Sequence, residues 1–364
     1  MIDLFAGCGG LEDGFLQSGK YEDVAAVEWL KPQVNTLIKR LETKWKVKDA
    51  KERVMHFDIQ REKELFEGWQ DDEFGQGKGL DYFVNKVGGI DIIIGGPPCQ
   101  AYSVAGRIRD EHGMREDYRN YLFESYLKVV QHYKPRVFVF ENVPGILSAK
   151  PGDGSVRIID LIQKAFADAG YAVLPDLSNA IIDMTEYGVP QNRKRIIILG
   201  VSKEHYGDKA EAMVEKFYSS YLPEYKIEKK ATVRDAIGDL PKLRPLDEPI
   251  SYLGRKLSHS VSDPLINGHI SRFHNKRDIE LFKFLEEDIA SGRLKYTSAK
   301  SLKTLYTKLT GKTSNVHKYY VLRWDEPSNL IPAHLFKDGL RHIHPDPEQA
   351  RTITVREAAR LQTF

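Results

Sequence analysis

Cysteine is scarce in this chain, which holds two among its 364 residues, Cys8 and Cys99. Two thiols make no disulfide framework, and neither sits in a CxxC pair with the histidines of a zinc site, so no metal is expected. Long apolar runs are missing as well. No stretch reaches the roughly 18 to 20 residues that cross a bilayer, and no charged leader precedes a cleavable apolar segment, which points to the cytoplasm. Charge of a single sign is also lacking: 54 Lys and Arg against 52 Asp and Glu leave a net +2. That excludes a generic polycation, so any surface for nucleic acid has to come from local clustering. The length exceeds one ordinary hydrophobic core and suggests two domains.

What is present is a series of short apolar runs: "MIDLF" at 1–5, "VAAVEW" at 24–29, "IDIII" at 90–94, "VFVFENV" at 137–143 and "RIIILGV" at 195–201. Each is too short for a helix, and continuous apolarity without alternation fits strands of a parallel sheet covered on both faces. Between them, "NYLFESYLKVVQHY" at 120–133 and "RIIDLIQKAFADAG" at 157–170 have helical spacing, the second ending on Gly170 as a C-cap would. Alternation of strand and helix implies a doubly wound, mostly parallel α/β domain, whose ligands sit beyond the carboxyl ends of the strands.

Chemistry-bearing residues gather at those strand ends. In "DLFAGCGGLEDGF" at 3–15, Gly7, Gly9 and Gly10 allow a sharp turn and close approach to a ligand. The spacing is not GxGxxG, so NAD, FAD and S-adenosylmethionine all remain open, with a dinucleotide less favoured. Glu28, about 20 residues on, is placed either to accept from ribose hydroxyls or to stand as a solvated loop carboxylate. In "GGPPCQAYS" at 95–103, Pro97 and Pro98 stiffen the exit from the sheet and hold Cys99 at its carboxyl edge, as a nucleophile or as a small buried hydrophobe. "FVFENVPGIL" puts Glu141 at the next strand end, where partial desolvation favours a proton donor; helix capping is the rival role. Arg193 and Arg195 alternate on the approach to the last strand, so both are expected to project to one side.

In this order, "DLFAGCGG", "GGPPCQAYS", "FENVPGIL", "QNRKR" and "RTITVREAARLQTF" resemble the motif series of the cytosine-5 DNA methyltransferases of bacterial or phage type. The resemblance spans nearly the whole chain and is weakest between about 202 and 350. It implies a class I, Rossmann-like methyltransferase domain with a second, smaller target-recognition domain, divided here at 1–225 and 226–364. It also implies S-adenosylmethionine as cofactor, with S-adenosylhomocysteine as product, and methyl transfer to C5 of a cytosine flipped out of duplex DNA. Cys99 would add to C6, Glu141 would hold N3 and the exocyclic amine, and Arg193 and Arg195 would orient the base, Glu141 and nearby phosphates. By the same resemblance Phe5, Gly7 and Gly9 match the cofactor's glycine-rich turn, Glu28 and Trp29 its ribose and adenine contacts, and Asp58 and Ile59 its adenine-amino contact. Gly96, Pro98, Asn120 and Leu122 match positions at its methionine end. The polar stretch "EKELFEGWQDDEFGQGKG" that follows Ile59 looks like an insertion.

A basic segment supplies the expected DNA surface. From Arg293 to Arg323 there is no acidic residue, while Lys and Arg recur among Tyr, Thr, Ser and Asn. Lys295, Lys300, Lys303, Lys308, Lys312 and Lys318 are the expected phosphate contacts, with Gln100 and Ser103 beside Cys99. A solvated charged face is the rival reading. The protein is expected to act as a monomer on DNA, and a cognate restriction endonuclease is left open as a partner. The chain departs from the family in three ways: little precedes the first strand, "DEPSNLI" lacks a threonine often found there, and Thr363 stands where glycine is usual, with the final asparagine-containing motif absent. Rival functions are a tRNA cytosine-5 methyltransferase, which usually carries a Cys-Phe-Thr tripeptide absent here, a catalytically silent DNA-binding homologue, and an NAD-dependent dehydrogenase.

Overall fold

The apolar runs do become strands, and their two faces decide what packs where. A computed structural model describes residues 1–98, 122–150, 155–262, 266–313 and 319–364. Strands β1 (Ile2–Leu4), β2 (Ala25–Glu28) and β3 (Val54–His56) come first, followed by a hairpin of β4 (Trp69–Asp71) and β5 (Gly75–Gly77). Then come β6 (Ile92–Gly95), β7 (Val137–Asn142), β8 (Tyr171–Ala172), β9 (Ile181–Asp183) and β10 (Lys194–Ser202). The large sheet runs β3-β2-β1-β6-β7-β10-β8, with β9 on β10. The chain moves outward from β1 through β2 and β3, then returns to β6 on the other side of β1. This reversal of strand order opens a crevice at the carboxyl ends of β1 and β6, where α/β sheets bind ligands.

Strands β1, β2, β3, β6 and β7 pair in parallel, but β10 runs antiparallel to both β7 and β8. The expectation of a parallel strand therefore fails for "RIIILGV". A strand covered on both faces is apolar whichever way it runs, so continuous apolarity carries no direction. The antiparallel register has a local requirement: Gly200 lies opposite Phe138, and a Cβ there would collide with the Phe138 ring.

Alternate residues divide the core into two layers. Ile2, Leu4, Ile93, Phe138 and Phe140 enter one layer with the helices Leu122–Tyr133 and Ile158–Asp168. Ala26, Ile92, Ile94 and Val139 enter the other, against Gly10–Gln17 and Lys31–Arg40. Period-2 alternation thus sends consecutive residues of one strand to opposite helical layers, which is the doubly wound arrangement.

Two compact units result: Met1–Ile182 with Lys194–Glu224, and Asp183–Arg193 with Tyr225–Phe364. The second has its own small clusters around Phe282 and Leu302 and around Val233 and Leu361. It contains the hairpin of β11 (Pro245–Tyr252) and β12 (Arg255–His259) and the helices Lys276–Ala290 and Ala299–Thr310. The "TVREAAR" segment forms the helix Val355–Arg360, started by a capping box in which Thr354 and Glu357 satisfy each other's backbone N–H.

Candidate active site

A cavity of about 380 Å³ opens at the switch point of the sheet unit, within the range usual for small-ligand sites. Of the residues expected there, Phe5, Gly7, Glu28, Trp29, Asp58, Ile59, Gly96, Pro98 and Leu122 line it. They arrive from the ends of β1, β2, β3 and β6 and from the start of the helix Leu122–Tyr133. Gly9 does not line the cavity. With φ +76° it caps the helix Gly10–Gln17, and a Cβ on it would collide with Leu37 Cδ1, so this glycine serves helix packing. Asn120 lies outside the described residues.

The turn after β1 is strained where it meets the cavity. Phe5 takes φ +58° and Gly7 also takes φ +58°, and a non-glycine residue held there costs on the order of 1–3 kcal/mol. Glu28 fixes this turn. Its Oε2 accepts the Gly7 N–H at 2.8 Å and its Oε1 accepts the Leu30 N–H at 2.7 Å. The carboxylate is thereby locked between the first two strand ends, and each oxygen keeps a lone pair for one further donor.

Five lining residues were missed by the sequence reading: Val27, Leu30, Gln33, Phe57 and Gln60. Val27 and Phe57 sit in apolar runs with nothing to separate a cavity wall from core. Gln33 is more telling, because its Oε1 is buried without a hydrogen-bond partner among the described residues. An apolar wall of Phe5, Phe57 and Ile59, a half-exposed Trp29 and an acceptor at Glu28 suit a nucleoside bearing hydroxyl donors.

The adjoining strand ends carry the second constellation. Glu141, near the end of β7, and Arg195, on β10, come together because the antiparallel register sets Ile197 opposite Glu141. Arg195 Nε lies 2.7 Å from Glu141 Oε1, with the two side chains 12% and 26% exposed. The carboxylate is therefore paired with a cation while staying open to a ligand. Its other oxygen leans over the loop leaving β6, since a Cβ built on Gly96 would stand 2.7 Å from Glu141 Oε2. Only glycine leaves that approach free. Asn142, buried at 1% exposure, donates from Nδ2 to the Pro97 carbonyl at 3.3 Å and accepts the Val143 N–H at 2.9 Å. It ties the two strand ends together, a role the sequence reading did not assign. Beneath them the Tyr126 hydroxyl reaches the Ile93 and Val139 carbonyls, both at 3.1 Å. Burial pushes this hydroxyl well above its usual pKa, so it remains a donor.

Arg193 does not lie on β10. It precedes the strand and belongs to the second unit, where its carbonyl accepts the Met184 N–H at 2.9 Å. Cys99, Gln100, Ser103 and Lys318 lie outside the described residues. In the second unit Lys295, Lys300, Lys308 and Lys312 are exposed and Lys303 is half-buried. On the helix Ala299–Thr310, Leu302 and Leu305 are buried while Lys300, Lys303 and Lys308 occupy the opposite arc, as 3.6-residue spacing requires. Among the described residues no group of His, Cys, Asp and Glu could hold a metal ion, and no helix is long and apolar enough to cross a membrane.

Comparison with known proteins gives this geometry a context. The family model described as C-5 cytosine-specific DNA methylase matches residues 1–364. The type II methyltransferase M.Bpa9945I of Bacillus paralicheniformis is 36% identical over 304 residues, which cover 77% of this chain and 64% of that protein. The type II methyltransferase M.XorII of Xanthomonas oryzae is 32% identical over 380 residues, covering 100% of this chain and 76% of its own length. Among solved structures, a protein described as a DNA modification methyltransferase encoded within a prophage of E. coli superposes with a TM-score of 0.59. That match has 22% identity and covers 99% of this chain and 87% of the other, which establishes the shared fold.

Proposed function

Because the chain belongs to the C-5 cytosine-specific DNA methylases, we propose that it methylates C5 of a cytosine rotated out of a specific duplex DNA sequence, through a bond between Cys99 Sγ and C6. The observation that carries this reading is the Glu141–Arg195 pair poised over Gly96, one loop away from a cavity shaped for a nucleoside. S-adenosylmethionine, when bound there, supplies an electrophilic methyl group on sulfonium sulfur.

The chain's own residues divide the remaining work. Glu28 would receive the ribose hydroxyls, and Trp29, Asp58, Ile59 and Gln33 would flank the base. Gly96, Pro98 and Leu122 would border the methionine end. Cys99 would attack C6 as thiolate, and charge then builds on the pyrimidine at N3 and the exocyclic amine. Glu141 would hold that edge, and Arg195 fixes the Glu141 carboxylate so that it need not reorganise as charge develops. Removal of the C5 proton would expel Cys99 and restore aromaticity. C5 is inaccessible inside the duplex stack, so a second surface must hold the DNA while the base is extruded. Lys295, Lys300, Lys303, Lys308 and Lys312 of the second unit would supply phosphate contacts. The relatives' type II naming fits a cytoplasmic enzyme of a restriction-modification system, with an endonuclease as partner.

The test is label transfer from tritiated S-adenosylmethionine to duplex DNA and, separately, to tRNA. Wild type should label DNA, Cys99→Ser should label neither, and Glu141→Gln should lower the rate by about 10²- to 10³-fold, as loss of a charge-stabilising contact does. Label in tRNA alone moves the substrate to RNA, and label in neither with the wild-type protein overturns the enzymatic reading.

A further inference from the structure

The stretch that looks like an insertion in the sequence is built to hold one aromatic ring against the cavity. It folds as the β4–β5 hairpin, with Trp69 opposite Gly77 and Asp71 opposite Gly75. Asp71 Oδ1 accepts the N–H of Glu73 at 2.9 Å and of Phe74 at 2.7 Å, which closes the turn. Glycines are required around it: a Cβ on Gly77 would collide with the Trp69 indole, and one on Gly68 would stand 2.8 Å from the Gly77 carbonyl.

The product of this construction is the position of Phe74. Its ring meets Trp29 edge-on at 6.3 Å, Phe57 at 5.3 Å and His56 at 5.2 Å. Trp29 and Phe57 both line the cavity, whereas Phe74 does not. Trp29 is 47% exposed, and Phe74 is its one aromatic partner among the described residues. Arg61 lies over the Phe57 and Phe74 rings at 4.9 and 5.6 Å while pairing with Asp71 at 2.8 Å, so one cation fastens the turn to the wall. The tip also carries Asp72 and Glu73, a charge pattern that repels phosphate and disfavours a DNA role for this hairpin.

We propose that the Trp69–Gly77 hairpin belongs to the cofactor site, with Phe74 acting as a positioning residue that holds Trp29 and Phe57 as the wall receiving the adenine ring. The inference rests on the reading of the cavity as an S-adenosylmethionine site. Edge-to-face aromatic pairs are directional, so losing Phe74 leaves Trp29 free to sample rotamers that do not face the base, and adenine binding must then supply the ordering entropy.

Equilibrium dialysis with radiolabelled S-adenosylhomocysteine tests this on the whole protein. Phe74→Ala should weaken binding about threefold to tenfold, as expected for one or two aromatic pairs. Phe74→Tyr, which keeps the ring, should restore wild-type affinity, and the transfer rate at saturating cofactor should stay within about twofold, since only binding is altered. Phe74→Leu keeps apolar volume on the core but lacks the ring edge. It should still bind more weakly than wild type, which guards against simple unfolding of the alanine variant. Equal binding by wild type and Phe74→Leu overturns the hairpin inference alone. Failure of the wild-type protein to bind overturns the cofactor reading and the hairpin inference with it.

Discussion

In the sheet unit, Asp3, Glu12 and Asp23 are buried and crowd one another, with exposures of 1%, 1% and 5%. In the second unit, Arg351 and Glu357 are both fully buried but meet as a bidentate pair, with Nη1 and Nη2 each 2.7 Å from a carboxylate oxygen. The consequences for charge are opposite. Burial, with Asp23 and Asp3 beside it, pushes Glu12 up to about 10. Burial would raise Glu357 too, but the Arg351 guanidinium overrides it and brings the carboxyl down to about 2. The first unit therefore holds Asp3 and Glu12 toward the neutral form between thick apolar layers, whereas its buried Asp13 stays charged against Arg40 and Lys44. The second has, among its described residues, two clusters of only eight and seven buried apolar residues and is organised by a charged network. Gln349 Oε1 accepts from Arg351 Nη2 at 2.7 Å, and Thr354 N donates to Glu357 at 2.7 Å, so every strand of that network is hydrogen-bonded.

The largest effect should come from breaking the network. Arg351→Met strands Glu357 as an unpaired buried charge, and removing one partner of such a pair costs about 3–5 kcal/mol. Amide hydrogen exchange should show protection lost across 225–364 while β1, β6 and β7 keep theirs. Adding Glu357→Leu to Arg351→Met should recover most of the loss, because a buried pair replaced by apolar groups is often near neutral. A double variant as unstable as the single one would show that packing volume, and not the stranded charge, organises this unit.

Acidity should separate the units by sign. Burial lowers His259 to about 4, and burial with a neighbouring charge lowers His274 and His344 to about 3. These folded values lie below the unfolded 6.5, so the stability they contribute is present above pH 6.5 and is lost as pH falls toward 3. Glu357 adds a further loss between its unfolded 4.5 and about 2. Glu12 works the other way. Its folded value of about 10 lies above the unfolded 4.5, so its contribution is full below pH 4.5 and is lost as pH rises to 10. From pH 5 to about 6.5 the sheet unit should weaken while the second unit strengthens, as its histidines become neutral in both states. Glu286, raised to about 9 by burial and then Asp346, partly offsets the second trend and reverses it above pH 6.5. Glu12→Gln should flatten the sheet unit's alkaline loss, by about 1–3 kcal/mol, the usual cost of an uncompensated buried group. Denaturation midpoints of each unit at pH 5 and 6.5 read this directly, and parallel trends in both units over that range would refute the comparison.

The same contrast explains how much the sequence disclosed. The strand-end residues Glu28, Gly96 and Glu141 were legible because a doubly wound sheet sends its loops to one edge, so motifs far apart in sequence share a site. Phe57 and Val27 were not, since an apolar residue in a strand reads as core whether or not a cavity opens beside it. Phe74 was hidden for another reason: one aromatic in "WQDDEFGQGKG" gives no periodicity, and its meaning appears only when the hairpin sets it against Trp29. Arg195 was legible as a member of a pair, yet its partnership with Glu141 depends on β10 running antiparallel, a direction that apolarity does not encode. In the second unit, Arg351 and Glu357 were visible only as letters of a motif. A fully buried guanidinium has no sequence signature, because it depends on Gln349, Thr352 and Thr354 being folded around it.

Surface charge extends the contrast, with the smallest effect. Some lysines of the sheet unit are neutralised locally, Lys164 by Asp168 at 2.6 Å, Lys203 by Glu211 at 2.6 Å and Lys128 by Glu62 at 2.7 Å, as are Lys242 and Lys276 of the second unit by Asp346 and Glu248. Lys300, Lys303 and Lys308 share one arc of the helix Ala299–Thr310, whose sequence has no acid to pair with them. If that arc faces phosphate, each lysine displaces counterions on binding, and Lys300→Ala should reduce the slope of log K against log salt by about 0.9. Affinity should fall only a few-fold, since one exposed contact among several is lost, and the change should be the same for cognate and unrelated duplexes because phosphate carries no sequence. Lys164→Ala is the matched control, as it removes a lysine already committed to a neighbour. Equal slopes for Lys300→Ala, Lys164→Ala and wild type would mean that the unpaired arc is a solvated face, and the DNA surface of the second unit would have to be sought on β11 and β12 instead.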